Sequence, residues 1–239
     1  MSQINVNTIN PYVITGSITL NGTPIRNNPN QTIIGIGQNT LANATGSDNT
    51  ALGRGALQSV TTGNSNVAVG NTALSDCTGN DNIAIGRNAA SFSTTGSNNI
   101  TLGKNASTST ITASNEITLG NTAHTVLRCQ VTSITSLSDG RDKKNVEELP
   151  VGLSFIETLK PVKFVWNERD ENGKHDIKDF GFIAQDLKSA QEDAGVDDIL
   201  RLVYEENPDK LEASYGKLVP ILVKAIQELS DKVKMLENK

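Results

Sequence analysis

Aromatic residues are scarce in this 239-residue chain, at 4%, and apolar residues of every kind reach only 36%. That is lean for an ordinary globular core. Cysteine is nearly absent. Cys77 and Cys129 have no CxxC or metal-ligand company, so both read as buried free thiols. Nothing in the composition calls for a metal or a cofactor. No apolar run approaches the roughly 18 residues of a membrane span, which argues against membrane insertion. Positive charge is in deficit, with 21 Lys+Arg against 26 Asp+Glu and a net charge of −5. There is no basic stripe to support nucleic-acid binding. Met1-Ser2-Gln3-Ile4-Asn5 lacks a basic and then an apolar region, so it does not read as a signal peptide.

Charge of either sign is missing from the first half of the chain. Residues 1–137 carry 5 Lys+Arg and 4 Asp+Glu together with 14 of the 20 glycines. Residues 138–239 carry the other 16 Lys+Arg and 22 Asp+Glu, with 6 glycines. So abrupt a break predicts two domains. A first half with so little charge is also a poor candidate for a disordered tail.

What the first half has is repetition. Gly46-x-x-Asn49-Thr-Ala-Leu-Gly53-x-x-Ala56 recurs as Gly63…Ala73, Gly79…Ala89 and Gly96…Ala106. A degenerate copy is Asn115-Glu-Ile-Thr-Leu-Gly120-x-x-Ala123, and Ile33-Ile34-Gly35-Ile36-Gly37 is a candidate leading copy. The second glycine falls at 53, 70, 86, 103 and 120, a period of 16–17 residues. Each unit has a short alternating strand such as Val67-Ala68-Val69, which sends the valines to one face and the alanine to the other. The following glycine marks a turn, and Thr-Gly-x-x-Asn before the strand is turn chemistry. A unit of this length has room for about two short strands and two corners. That suits a β-solenoid or β-roll whose coils bury their apolar face only by stacking. The small alanines predict close packing against something on their own face, with another copy of the chain as the candidate.

This repeat, over residues 31–123, resembles the head repeats of trimeric autotransporter adhesins and similar repeats of phage tail fibres. The resemblance implies three chains packed side by side as left-handed parallel β-rolls. Adhesins of that kind carry a signal peptide and a membrane-anchoring barrel. Neither is read here, which favours a virion fibre over a bacterial surface adhesin. In residues 1–30, Ser17–Ile25 reads as a strand, an Asn21-Gly22 turn and a return strand, a candidate cap or attachment segment.

The second half reads as an α+β domain. Helices are expected over 151–159, 185–190 and 216–236; strands over 162–166, 180–184, 202–204 and 211–215; and a hairpin turn over 168–174. Trp166 and Phe182 read as core. Asp170-Glu171-Asn172-Gly173 lacks the later glutamate of a calcium loop and is a plain turn. The lone His124 and His175 read as surface residues. In the last helix Val219, Leu222, Ile226, Leu229, Val233 and Leu236 are spaced 3, 4, 3, 4, 3, a coiled-coil seam. β-Branched residues at a with leucine at d favour two strands in simple parallel coils. Docking of this helix on its own domain is the alternative.

Four ordered blocks mark this half. They are Ser138-Asp139-x-Arg141-x-Lys143-Lys144-Asn145-Val146; Leu159-Lys160-Pro161-Val162-x-Phe164-x-Trp166; Gly181-Phe182-Ile183-Ala184-Gln185-Asp186-Leu187; and Tyr215-x-x-Leu218-x-Pro220-x-Leu222 running on through Leu229. Together, over residues 137–239, they resemble the C-terminal intramolecular chaperone (peptidase S74) domain of phage tailspikes and fibres. The resemblance implies a domain that trimerises, templates folding of the fibre before it, and then releases itself. Carried onto this sequence, it makes Ser138 the nucleophile, Lys143 the general base and Leu137–Ser138 the scissile bond. Asp139, Arg141, Lys144 and Asn145 are the supporting motif. The organisation expected is a terminal segment over 1–30, a β-roll fibre over 31–136 and the chaperone over 137–239.

A hydroxyl becomes a competent nucleophile when a base takes its proton, and lysine serves only when neutral. An exposed lysine titrates near ~10.4, so the site has to desolvate it or set a second cation beside it. Arg141 and Lys144 are candidates for that cation, with Asp139 and Asp142 opposing them. The expected function is a virion tail fibre assembled in the host cytoplasm. Its partners would be two further copies of itself, other tail proteins and a host-surface glycan or protein receptor. A surface adhesin, or a fibre whose chaperone does not cut, are the alternatives. An enzyme acting on external glycans or peptides finds no paired carboxylates or triad in the repeats.

Overall fold

The computed structural model describes residues 33–60, 62–93, 95–130, 133–167 and 176–238, and the backbone of β1 (Ile18–Leu20) and β2 (Thr23–Asn28). The Asn21-Gly22 turn, the expected turn over 168–174 and His175 lie outside the described residues. The chain divides into two compact units, Met1–His124 and Thr125–Lys239.

In the first unit β1 pairs antiparallel with β2, and β2 antiparallel with β3 (Ile33–Ile36). From β3 onward the sheet is parallel and in sequence order: β4 (Thr50–Leu52), β5 (Val67–Val69), β6 (Ile83–Ile85), β7 (Ile100–Leu102) and β8 (Ile117–Leu119). The result is a parallel β-solenoid of about five turns. The repeat period is the register: Ala51, Ala68, Ala84, Thr101 and Thr118 lie opposite one another in successive coils. Each coil has one strand rather than two. Its return half holds Leu57, Leu74 and Ala90 at φ of 49°, 49° and 47°, a turn conformation that no strand adopts. Single bonds stitch that side, such as Leu57 N–H to Ala73 O at 3.0 Å and Leu74 N–H to Ala89 O at 3.0 Å.

The alanines pack inside their own coils, not against another chain. Ala51, Ala68 and Ala84 are buried within the solenoid, with Ala56, Ala73, Ala89 and Ala106 lining the next wall. The larger aliphatic residues of the strands face outward, as Ile85 at 45% and Ile117 at 70% exposure show. Sequence alternation separates two faces but does not say which is inside; the narrow bore of a 16–17-residue coil decides it by admitting only small side chains.

Two further features hold the stack. Asn49, Asn66, Asn82 and Asn99 are buried in a column. The side-chain oxygens of Asn49, Asn66 and Asn82 each accept from the backbone N–H and side-chain amide of the next coil's asparagine, as Asn66 does from Asn82 at 3.0 and 3.2 Å. At the last coil Glu116 takes the column position, its N–H donating to Asn99 Oδ1 at 3.0 Å. Glycine is required where coils touch. A Cβ on Gly79 would lie 1.9 Å from the Gly96 carbonyl oxygen, and Gly70 sits at φ 135° with the Gly86 oxygen 2.4 Å from a Cβ.

The second unit begins with an exposed segment and continues as α1 (Leu153–Thr158), the antiparallel pair β9 (Val162–Val165) and β10 (Lys178–Gly181), α2 (Ala184–Asp193), α3 (Asp197–Leu200), the short pair β11 (Val203–Tyr204) and β12 (Glu212–Ala213), and α4 (Leu218–Glu237). Its core includes Val151, Phe155, Leu187, Leu200, Leu202, Leu218 and Ile221. Phe182 packs against that core half-buried, whereas Trp166 stands outside it, edge-on to Phe164 with Nε1 donating to Asp179 at 3.1 Å. The indole N–H needs a partner, and the two-stranded ribbon provides one at its surface. Glu228 of α4 caps the start of α1 by accepting from Leu153 N–H at 2.8 Å. Buried Gln191 accepts from Leu202 N–H at 2.9 Å. Among the described residues no helix is long and apolar enough to cross a membrane. Cys77 is buried as expected, but Cys129 is exposed because it lies in the extended segment after the solenoid.

Helix α4 has two apolar faces. Leu218, Ile221 and Ala225 are buried in the unit's own core. The seam Val219, Leu222, Ile226, Leu229, Val233 and Leu236 is exposed throughout, with Ile226 at 65%. Docking on the domain and an unpaired heptad seam therefore coexist, on different sides of one helix.

Candidate functional site

Ser138 to Asn145 lies in the exposed stretch that opens the second unit. Local chemistry folds it. Asp139, in an extended conformation, accepts from Arg141 N–H at 2.9 Å and so caps a single 3₁₀ turn, Gly140–Asp142. Asp142 N–H donates to Asp139 O and Lys143 N–H to Gly140 O, both at 3.2 Å. Asn145 then takes φ 52°, a left-handed conformation that asparagine tolerates. The turn brings residue i+5 back over residue i. Lys143 Nζ lies 2.6 Å from Ser138 Oγ and 3.1 Å from the Ser138 carbonyl oxygen.

Ser138 and Lys143 are thus together, with Lys143 as hydrogen-bond donor. Leu137, on the other side of the expected scissile bond, is 95% exposed. Lys144 is exposed as well. Arg141 does not act as a spare cation beside the lysine. Its Nε lies 3.0 and 3.1 Å from the two Asp139 oxygens, and its Nη2 lies 2.6 Å from Oδ2. That fork holds the Asp139 carboxyl below the usual carboxylate range and pushes the Arg141 guanidinium up. A pair of opposite charges so close contributes little net field at Lys143. The sequence named both residues but not their engagement; the signal was the short Asp-x-Arg spacing across a capped turn.

The surroundings do not enclose the pair. Residues 133–148 are exposed without exception, so no wall of the single chain strips water from Lys143. Among the described residues no cluster of His, Cys, Asp or Glu could hold a metal. His124 is exposed and bonded to Asn121 at the end of the solenoid.

A family model described as chaperone of endosialidase (Peptidase S74) matches residues 138–196. The match opens on Ser138 and runs through α1, β9, β10 and α2. It supports a C-terminal chaperone domain in this chain. No curated protein and no solved structure matches the chain.

Proposed function

We propose that this chain is a trimeric virion tail-fibre protein whose C-terminal domain templates assembly and then severs itself at Leu137–Ser138. The observation that carries the reading is the 2.6 Å approach of Lys143 Nζ to Ser138 Oγ at the first residue of the chaperone match. Two exposed apolar tracks supply the assembly surfaces: the outward strand residues of the solenoid and the heptad seam of α4. Other tail proteins and a host-surface receptor would complete its partners, and the virion its location.

In the proposed reaction Lys143, once neutral, takes the Ser138 hydroxyl proton. Oγ attacks the Leu137 carbonyl carbon, and the C–N bond to Ser138 breaks as its nitrogen gains a proton. The product is an ester between the Leu137 acyl group and Ser138 Oγ, which water opens to a Leu137 carboxylate and a free Ser138 N-terminus. In the single chain the lysine is open to water. Assembly is therefore the proposed trigger: neighbouring copies cover the segment, exclude water and favour the neutral amine. Cutting then reports completed folding.

Intact-mass analysis of the expressed chain beside Ser138→Ala and Lys143→Ala tests this. The expected result is fragments 1–137 and 138–239 from the natural chain and a single uncut species from each variant. Cutting that persists in Ser138→Ala, or at another bond, refutes the assignment. A chain that assembles yet stays whole leaves the template role and removes the peptidase.

A further inference from the structure

The outward apolar stripe of the solenoid is bordered by two columns of opposite charge. Two residues before each strand stand Asp48, Ser65, Asp81, Asn98 and Asn115. Two residues after each strand stand Arg54, Asn71, Arg87, Lys104 and Asn121. The columns are stacked by the coils themselves: Asn98 Nδ2 donates to Asn115 Oδ1 at 2.8 Å, and Asn71 Nδ2 to Arg54 O at 3.1 Å. Charges occur level by level. The β4 coil carries Asp48 with Arg54, the β6 coil Asp81 with Arg87, and the β5 coil between them is neutral on both edges.

Asp48, Asp81, Arg54 and Arg87 are exposed, and none has an ion-pair partner among the described residues. Arg87 and Lys104 also stand in adjacent coils of one column, about 4.8 Å apart in strand spacing, with no acid in that column. Like charges so placed repel, and among the described residues neither has an ion-pair partner.

We infer that the acidic edge of one solenoid docks on the basic edge of a second copy at the same coil level, Asp48 against Arg54 and Asp81 against Arg87, so that charge fixes the register of the assembled fibre. The inference rests on the trimeric reading above and adds which residues set its alignment. A rotation axis parallel to the stack brings the edge before the strands of one copy against the edge after the strands of the next, with no axial shift. An antiparallel pairing about an axis along the strands would set acid against acid. Sliding one copy by one coil leaves at most one pair, Asp81 opposite Lys104 in one direction and none in the other, and sliding by two leaves a single pair. In register, each interface has two. The apolar stripe itself has near-identical residues at every level, Val69, Ile85, Leu102 and Leu119 on one side, so burial alone would not resist a slip.

The test uses the full chain with Ser138→Ala, which keeps the two units joined, and follows assembly by sedimentation in urea, which does not screen charge. D81R and R87D alone should each weaken association about tenfold at low salt, since every interface loses a pair and gains a repulsion. The same-level swap D81R/R87D should recover the loss, and the cross-level swap D48R/R87D should not. Asp48 and Asp81 both sit at φ 59°, so the two swaps carry the same backbone cost and differ in level alone. No recovery in D81R/R87D, or equal recovery in both swaps, overturns the register code while trimers persist. A natural chain that never leaves the monomer overturns the trimeric reading, and the code with it.

Discussion

Replacing Asn82 with alanine should be among the most damaging single changes in the solenoid that leave its backbone path open. The side chain is 2% exposed. Its amide donates to Gly96 O at 2.9 Å and to Asn66 Oδ1 at 3.2 Å, and its oxygen accepts from Asn99 N–H at 3.0 Å and from the Asn99 amide at 3.1 Å. Alanine would strand the Gly96 carbonyl and the Asn99 N–H inside the coil. Each buried group left without a partner costs about 1–3 kcal/mol, so the loss should be about 4 kcal/mol, less whatever a water entering the gap restores. Asn71→Ala is the control: its amide bond to Arg54 O is at the surface, and its loss should cost less than about 1 kcal/mol. Urea unfolding of the full chain carrying Ser138→Ala, followed by circular dichroism, compares the two. If Asn82→Ala costs no more than Asn71→Ala, the buried asparagine column is not what joins the coils.

Two further outcomes are expected. Ile221, 1% exposed in the core of the second unit, should cost about 2–5 kcal/mol as Ile221→Ala, whereas Ile226→Asn on the free seam of α4 should leave the circular-dichroism spectrum intact and lower the assembled fraction in sedimentation. Equal loss of folded signal in both would show that the two faces of α4 are not separable. Cys129 should react with an aromatic disulfide reagent within minutes in the native chain, while Cys77, whose thiol burial pushes up, should wait for unfolding. Rapid modification of both would contradict the packed bore.

Periodicity made the coil legible because each copy repeats the same local physics: a short strand, a glycine at a corner, and an asparagine three residues after the preceding glycine. The parallel register of Ala51, Ala68 and Ala84 follows from that period alone. The inside of the coil was not legible, because alternation is symmetric and hydrophobicity pointed the wrong way: Val67 and Val69 look more like core than Ala68 does. Bore width reverses that preference. The closeness of Ser138 and Lys143 came through a family pattern rather than through any propensity, and the capped turn that produces it is held by Asp139, which the same pattern named without a job. Helix α3 escaped notice because four residues, Asp197–Leu200, are too few to show a period.

The distribution of core along the solenoid gives a physical reason for a folding template at its C-terminal side. On the return wall the buried residues run Leu41, Leu57, Leu74 and then Ala90; on its neighbour they run Val60, Cys77 and then Ser93. Past Ala90 the apolar cluster stops, and Ser93 Oγ meets Thr108 Oγ1 at 2.8 Å where earlier coils have the Val60 side chain and the Cys77 thiol. Burying a leucine contributes about 1.5–3 kcal/mol, a single methyl about 0.8, and a hydroxyl pair close to nothing net. The coils of β7 and β8 therefore have the weakest interior of the stack while carrying Ile100, Leu102, Ile117 and Leu119 on the outside. A lone chain should close those coils last and lose them first. Covering their outer aliphatic residues with neighbouring copies would supply burial that the bore does not, and the segment that follows them in sequence leads directly into the domain matched to a chaperone. Under the proposed function, three copies zipped from that end would hold by the stripe and the coil-to-coil bonds without the template, and cutting at Leu137–Ser138 would then cost the fibre nothing.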